Sequence, residues 1–269
     1  MRVVLLDKKI FIISFNRASD GAIDFLKQKM IKNDIYTKYI DEADYFLSCG
    51  DRQETFDFTL EQYRRGKKII HLWAGEISQG TMDEVYRHSI TLMSMMQLCT
   101  NNTSKQRVLK LCKAIDKKPN VFVIGNVMLD DMTLDESFLP DYPYNLVLYN
   151  PPVDRMQTKK EIVEIYRLLK KLGKTYIWIE PNGDINSDLI MPYVTEDNRP
   201  RPMFLALIKH CQKFITNSSC QFYEAPFLMD KQDIISIGVR NQNRESKHSD
   251  MNITGASNKI IRILKKELL

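Results

Sequence analysis

The stretch IIHLWAGEISQGTMDEVYRHSITLMS, residues 69–94, decides how the chain folds. Ile69-Ile70-His71-Leu72-Trp73 is a short, almost wholly apolar run of the kind buried on both faces of a parallel sheet. Ala74-Gly75-Glu76 ends it. After a polar loop, Thr81-Met82-Asp83-Glu84 has the spacing of a capping box. The Thr81 hydroxyl accepts from the amide three residues on and Glu84 reaches back, which predicts a helix start. On that helix Asp83 and Arg87 are i,i+4 neighbours, as are Glu84 and His88. Read structurally, Asp83 is a first-turn acid favoured by the helix dipole and paired with Arg87, and Glu76 is a solvated loop acid.

Outward from this βα unit the same alternation recurs. Apolar, β-branched runs stand at 10–15, 43–48, 67–73, 120–125, 144–149, 174–180, 213–216 and 233–238. Stretches of helical spacing lie between most of them, such as EIVEIYRLLKKL, where Ile162, Ile165, Leu168 and Leu169 share a face. Short apolar strands separated by amphipathic helices predict an α/β fold with parallel sheets covered on both sides. Eight strands are many for one open sheet, and the irregular, Pro-rich LDESFLPDYPY (134–144) is the best boundary. The expectation is two Rossmann-like lobes, 1–140 and 141–255, with ligand at the C-terminal ends of the strands. Residues 256–269 are read as a helix packed on the body.

Composition narrows the function. A chain of 269 residues with 43% hydrophobic and 27% charged content is that of an ordinary globular protein. The net charge of +5 is mild, and no Lys/Arg stripe interleaved with aromatics points to nucleic acid. MRVVLLDKKI places charges where a signal peptide needs its apolar centre, and no apolar run reaches the length of a membrane span. Five cysteines without a C-x-x-C fit reduced thiols and a cytoplasmic location. Asp41-Glu42-Ala43-Asp44, Gly173-Lys174-Thr175 and four Asn-x-Ser/Thr triplets spell known motifs, but none has the context its chemistry needs.

Neighbouring parallel strands deliver their C-terminal loops to one crevice. The run ADYFLSCG ends in Gly50-Asp51-Arg52 and KKIIHLWAG ends at Glu76, so Asp51, Glu76, Asp83, Arg87 and His88 are expected to face a common pocket. Several carboxylates beside a guanidinium suit acid/base work on a substrate that brings phosphate charge. In the second half, KFIT runs into Asn217-Ser218-Ser219, where two hydroxyls and free amides can meet an anion with a helix dipole behind them. Glu224 is placed to accept from a ribose diol, and Arg240 and Arg244 to clamp a diphosphate. The plainer alternatives are N-capping for Ser218 and Ser219, and a solvated loop for the arginines.

Six blocks, GDRQET, HLWAGEISQGTMDEVYRHSITLMS, VFVIGNVMLD, PNGDINSDLI, FITNSSCQFYEAP and ISIGVRNQNR, make the chain resemble the hydrolysing UDP-N-acetylglucosamine 2-epimerases, above all those of sialic and related nonulosonic acid pathways. They stand in the family's order over most of residues 44–244. The resemblance implies the two-lobed GT-B-like fold, an interlobe active site and no metal or cofactor. It implies Asp51, Glu76 and Asp83 as acids and bases, with Arg87 and His88 organising them. Arg17 matches the arginine of the first-strand loop. Asn150, Asn182, Ser218, Ser219, Glu224, Arg240 and Arg244 fall at the substrate and its nucleotide. The reaction implied is loss of UDP with the C2 proton, then addition of water to give N-acetylmannosamine. A UDP-sugar is the partner expected, and a homodimer stays open as the assembly.

Three departures are visible. The family's histidine after the first strand of the second lobe is Asn150, which cannot shuttle a proton near neutral pH. Phe15-Asn16-Arg17-Ala18 lacks the family's glycine. The segment from Arg17 to Asp51 is short, so the N-terminal lobe reads as abridged. These leave two other readings beside the 2-epimerase: a nucleotide-sugar-binding or partner-binding homologue without turnover, and a GT-B glycosyltransferase.

Overall fold

In the computed structural model, residues 8–14, 20–78, 82–173, 175–241 and 255–268 are described. They divide into two compact units, Met1–Ile77 with Met82–Asp131 and Glu245–Leu269, and Ser78–Thr81 with Met132–Arg244. Arg17, Thr81 and Arg244, named above as a site residue, a helix cap and a phosphate ligand, lie outside the described residues.

The first unit runs β1 (Ile10–Ile13), α1 (Asp20–Lys32), β2 (Tyr45–Cys49), α2 (Gln53–Arg64), β3 (Lys68–Leu72), α3 (Asp83–Met93), β4 (Met96–Cys99), α4 (Asn102–Lys113) and β5 (Val121–Val123). Its sheet is wholly parallel in the order β1-β2-β3-β4-β5. Ser48 stands opposite His71 and Cys49 opposite Leu72, so β2 and β3 end side by side. Phe46, Leu47, Ile69, Ile70 and Leu72 are all buried, as helix-covered parallel strands require. The C-terminal helix, α8 (Ala256–Leu268), packs on α1 and buries Ile260, Ile261, Leu264 and Leu268. Asp130 caps it, accepting from the backbone N–H groups of Gly255, Ala256 and Ser257.

The second unit runs β6 (Asn145–Leu148), α5 (Arg155–Leu172), β7 (Tyr176–Trp178), α6 (Arg201–His210), β8 (Phe214–Thr216), α7 (Cys220–Tyr223) and β9 (Ile234–Ser236). Its parallel strands lie in the order β7-β6-β8-β9. From β6 the chain steps outward to β7, then back to β8 on the other side. That reversal makes a switch point at the C-terminal ends of β6 and β8, where open α/β sheets hold ligands. The first sheet advances one place at each step and has no such reversal.

Two expectations change. Residues 96–99, read above as no strand, form β4. MQLC has no β-branched residue and lies in a Met-rich run, so its pattern gives no strand signal. The helix expected behind Ser218 and Ser219 is the four-residue α7. Pro226, with no N–H to donate, follows closely, and so short a helix has too few aligned peptides for a useful dipole.

Candidate active site

Arg87 is the centre of the arrangement in the first unit. It is 1% exposed, and two loops and a carboxylate of its own helix converge on it. Its Nη2 pairs with the Asp51 carboxylate beyond β2. Its Nη1 donates to the Glu76 carbonyl beyond β3 at 3.2 Å and to Glu84 Oε2 one turn earlier at 2.8 Å. The other Glu84 oxygen faces His88 Nε2 at 3.4 Å. A guanidinium taken out of water needs this compensation, and the two carboxylates supply it from different elements. Asp51, Glu76, Arg87 and His88 are thus brought together, with Glu84 as the member the capping-box reading had hidden. Asp83 opens the first turn of α3, with Met82 in the cap position making no side-chain cap bond.

The turn that delivers Glu76 is shaped by its own backbone. Trp73 and Gly75 both take positive φ, 65° and 75°. A Cβ at Gly75 would stand 2.2 Å from the Ser104 carbonyl oxygen, so only glycine lets the turn lie on α4. Arg107 of α4 donates to the Gly75 carbonyl and holds it there. Beneath the site, His71 faces the Gly50 carbonyl through Nε2 at 3.0 Å and the Thr91 hydroxyl through Nδ1 at 3.0 Å. The Thr91 hydroxyl also lies 3.0 Å from the Arg87 carbonyl. Burial lowers the His71 pKa to about 4, which keeps the imidazole neutral.

In the second unit, the switch point is closed by asparagines. The Asn150 N–H donates to Asn217 Oδ1 at 2.8 Å, and Asn217 Nδ2 donates back to the Asn150 carbonyl at 2.6 Å. Asn150 Oδ1 accepts from the Asn182 N–H at 2.9 Å, and Asn241 Nδ2 donates to the Asn217 carbonyl at 2.8 Å. These amides tie four loop ends together. Ser218 Oγ accepts from the Cys220 N–H at 3.4 Å, one residue outside the cap, and Ser219 stands at the α7 cap position without a side-chain cap bond. Glu224, 3% exposed, is held by Arg201 at 2.7 Å, a partner 23 residues away that no local spacing announces. Arg240 Nη1 reaches Asp184 at 2.7 Å and the Pro151 carbonyl at 3.3 Å. Among the described residues, no group of three His, Cys, Asp or Glu side chains is placed to hold a metal ion.

Two parallel α/β units, one with a switch point and the other with acids clustered at its strand ends, define a Rossmann-like protein of the GT-B-like class. Residues 15–268 match the UDP-N-acetylglucosamine 2-epimerases, and the chain belongs to that family. It is 26% identical over 223 residues to the UDP-N-acetylglucosamine 2-epimerase of Neisseria meningitidis, which spans 76% of this chain and 58% of that protein. It is 27% identical over 242 residues to polysialic acid biosynthesis protein P7 of Escherichia coli, covering 81% of this chain and 61% of the relative. The chain therefore spans about three fifths of the length of these relatives. Among solved structures, the Neisseria meningitidis 2-epimerase bound to UDP-GlcNAc superposes with a TM-score of 0.62 at 17% identity, over 93% of this chain and 81% of that one. The Staphylococcus aureus MnaA–UDP structure gives 0.61 at 16%, over 95% and 83%. At such identities these structures speak for the fold alone. No helix among the described residues is long and apolar enough to cross a membrane.

Proposed function

We propose that the chain is a hydrolysing 2-epimerase that converts UDP-N-acetylglucosamine, or a close nucleotide-sugar, to N-acetylmannosamine and UDP. The observation that carries this reading is the Arg87 cluster, which gathers the Asp51 carboxylate and the Glu76 loop at the ends of β2 and β3. In the first step a base removes the C2 proton, the C1–O bond to UDP breaks, and a C1–C2 double bond forms. In the second, water adds its hydroxyl to C1 and a proton reaches C2 from the opposite face. Both steps move a proton at carbon beside developing positive charge on the ring, which is work for several carboxylates in fixed positions. Asp51, Glu76 and Asp83 take the acid and base roles, with Arg87 and His88 orienting them. Asn150, Asn182, Ser218, Ser219, Glu224 and Arg240 hold the UDP-sugar, joined by Arg17 and Arg244. Curated relatives named as hydrolysing diacetylbacillosamine 2-epimerases, at 25% and 26% identity, support the hydrolytic subtype.

One observation favours a second reading, a nucleotide-sugar-binding homologue without turnover. The Asn150 amide, where the family's histidine is expected, has its oxygen engaged by the Asn182 N–H. Incubation with UDP-N-acetylglucosamine in deuterated water, followed by NMR, separates the two. The 2-epimerase yields free UDP and N-acetylmannosamine carrying deuterium at C2, and Asp83→Asn lowers its rate about 100-fold with little change in UDP affinity. Binding without conversion gives the second reading. Neither binding nor conversion sinks both.

A further inference from the structure

Helix α5 carries a buried carboxylate that the proposed chemistry does not use. Glu161 is 1% exposed, and donors from three places converge on it. Its Oε2 accepts from the Tyr149 hydroxyl, just beyond β6, at 2.6 Å. Its Oε1 accepts from Gln157 Nε2 at 2.8 Å and from the Val239 backbone N–H, beyond β9, at 3.0 Å. Burial and this carboxylate together push the Tyr149 hydroxyl pKa up, so the phenol stays a donor. A carboxylate is an acceptor with about four lone-pair sites and no hydrogen to misplace, which suits a point where only donors arrive.

The loop beyond β9 is built onto this group. Gly238 has φ +73°, and a Cβ there would stand 2.2 Å from Glu161 Oε2. No side chain fits at 238 while Glu161 is in place. The next amide is bonded to Glu161, and the residue after that is Arg240, whose guanidinium meets Asp184 and the Pro151 carbonyl.

We infer that Glu161 is the positioning residue of the nucleotide site: it seats Gly238 and Val239 and thereby sets the Arg240 guanidinium for a nucleoside diphosphate. This rests on the nucleotide role proposed for Arg240. Glu161 itself touches no ligand.

The test uses the full chain and UDP as the probe, with calorimetry for affinity and hydrogen exchange for the Val239 amide. Arg240→Ala is the reference for the loss of the cation. Glu161→Ala weakens UDP about 10- to 100-fold, as Arg240→Ala does, and strips protection from the Val239 amide. Gly238→Ala, which pushes on the carboxylate from the other side, does the same and serves if Glu161→Ala does not fold. Glu161→Gln retains part of the affinity. Its carbonyl still accepts from Val239, and the Tyr149 hydroxyl can turn to accept from its amide. UDP affinity kept in both Glu161→Ala and Gly238→Ala, but lost in Arg240→Ala, overturns the positioning role and leaves the nucleotide site standing. Affinity kept in all variants, Arg240→Ala included, overturns the nucleotide site and this role with it.

Discussion

His71 contributes to the first unit by staying uncharged. A carbonyl only accepts, so the nitrogen facing Gly50 carries the hydrogen and the other takes the Thr91 hydroxyl. Its folded pKa of about 4 lies below the ~6.5 of an unfolded histidine, so the unfolded chain takes up the proton first as pH falls. The stability it supplies is whole above about pH 6.5 and drains away between 6.5 and 4, a loss on the order of 3 kcal/mol. Urea unfolding at pH 7 and pH 4.5 therefore shows wild type losing more stability than His71→Gln, by about 2–3 kcal/mol. Equal losses would mean that His71 is not a buried neutral group in this chain. Its partners lie 21 and 20 residues away, and that is why the sequence named Asp51, Glu76, Arg87 and His88 but left His71 as a plain strand residue. The acids were legible because each follows an apolar run or opens a helix. Arg201 and Glu161, each bound to a residue far along the chain, carry no such local mark.

Among the elements, the turn after β3 is the one most tightly determined. Gly75 combines a left-handed φ with a close approach to the Ser104 carbonyl, so alanine meets both penalties. Gly75→Ala should cost about 2 kcal/mol or more by denaturant unfolding. It should also displace Glu76, so turnover falls further than the loss of folded protein accounts for. A near-neutral substitution would show that α4 can retreat. Legibility followed side-chain type here as well. β2, β3, β6 and β9 stand out as aromatic or β-branched runs, whereas β4, made of Met, Gln, Leu and Cys, gave the pattern nothing to register. The length of α7 was hidden because a cap signal marks where a helix starts and says little about how far it goes.

For the whole molecule, the parallel α/β class could be read from the alternation of short apolar runs with helical spacing, and the family from the order of the six blocks. The path by which the chain fills its two units could not, because it depends on α8 packing on α1. Residues 132–244 form nearly all of the second unit in one continuous run, with its own four-stranded sheet and core. Expressed alone, this piece should unfold cooperatively in urea and give a dispersed amide spectrum. A collapsed spectrum without a transition would show that it draws its order from the rest of the chain. The first unit is discontinuous, and that gives its assembly a schedule. A ribosome releases residues 132–244 before it releases α8, so the second unit can be complete while α1 still lacks the helix that packs on it. Until residues 256–268 arrive, the nascent chain shows an apolar helix face to whatever is near it. Chaperone capture and early proteolysis should therefore concentrate on residues 20–32, and a nascent chain that stops just short of Ala256 should leave one finished unit joined to one that cannot close.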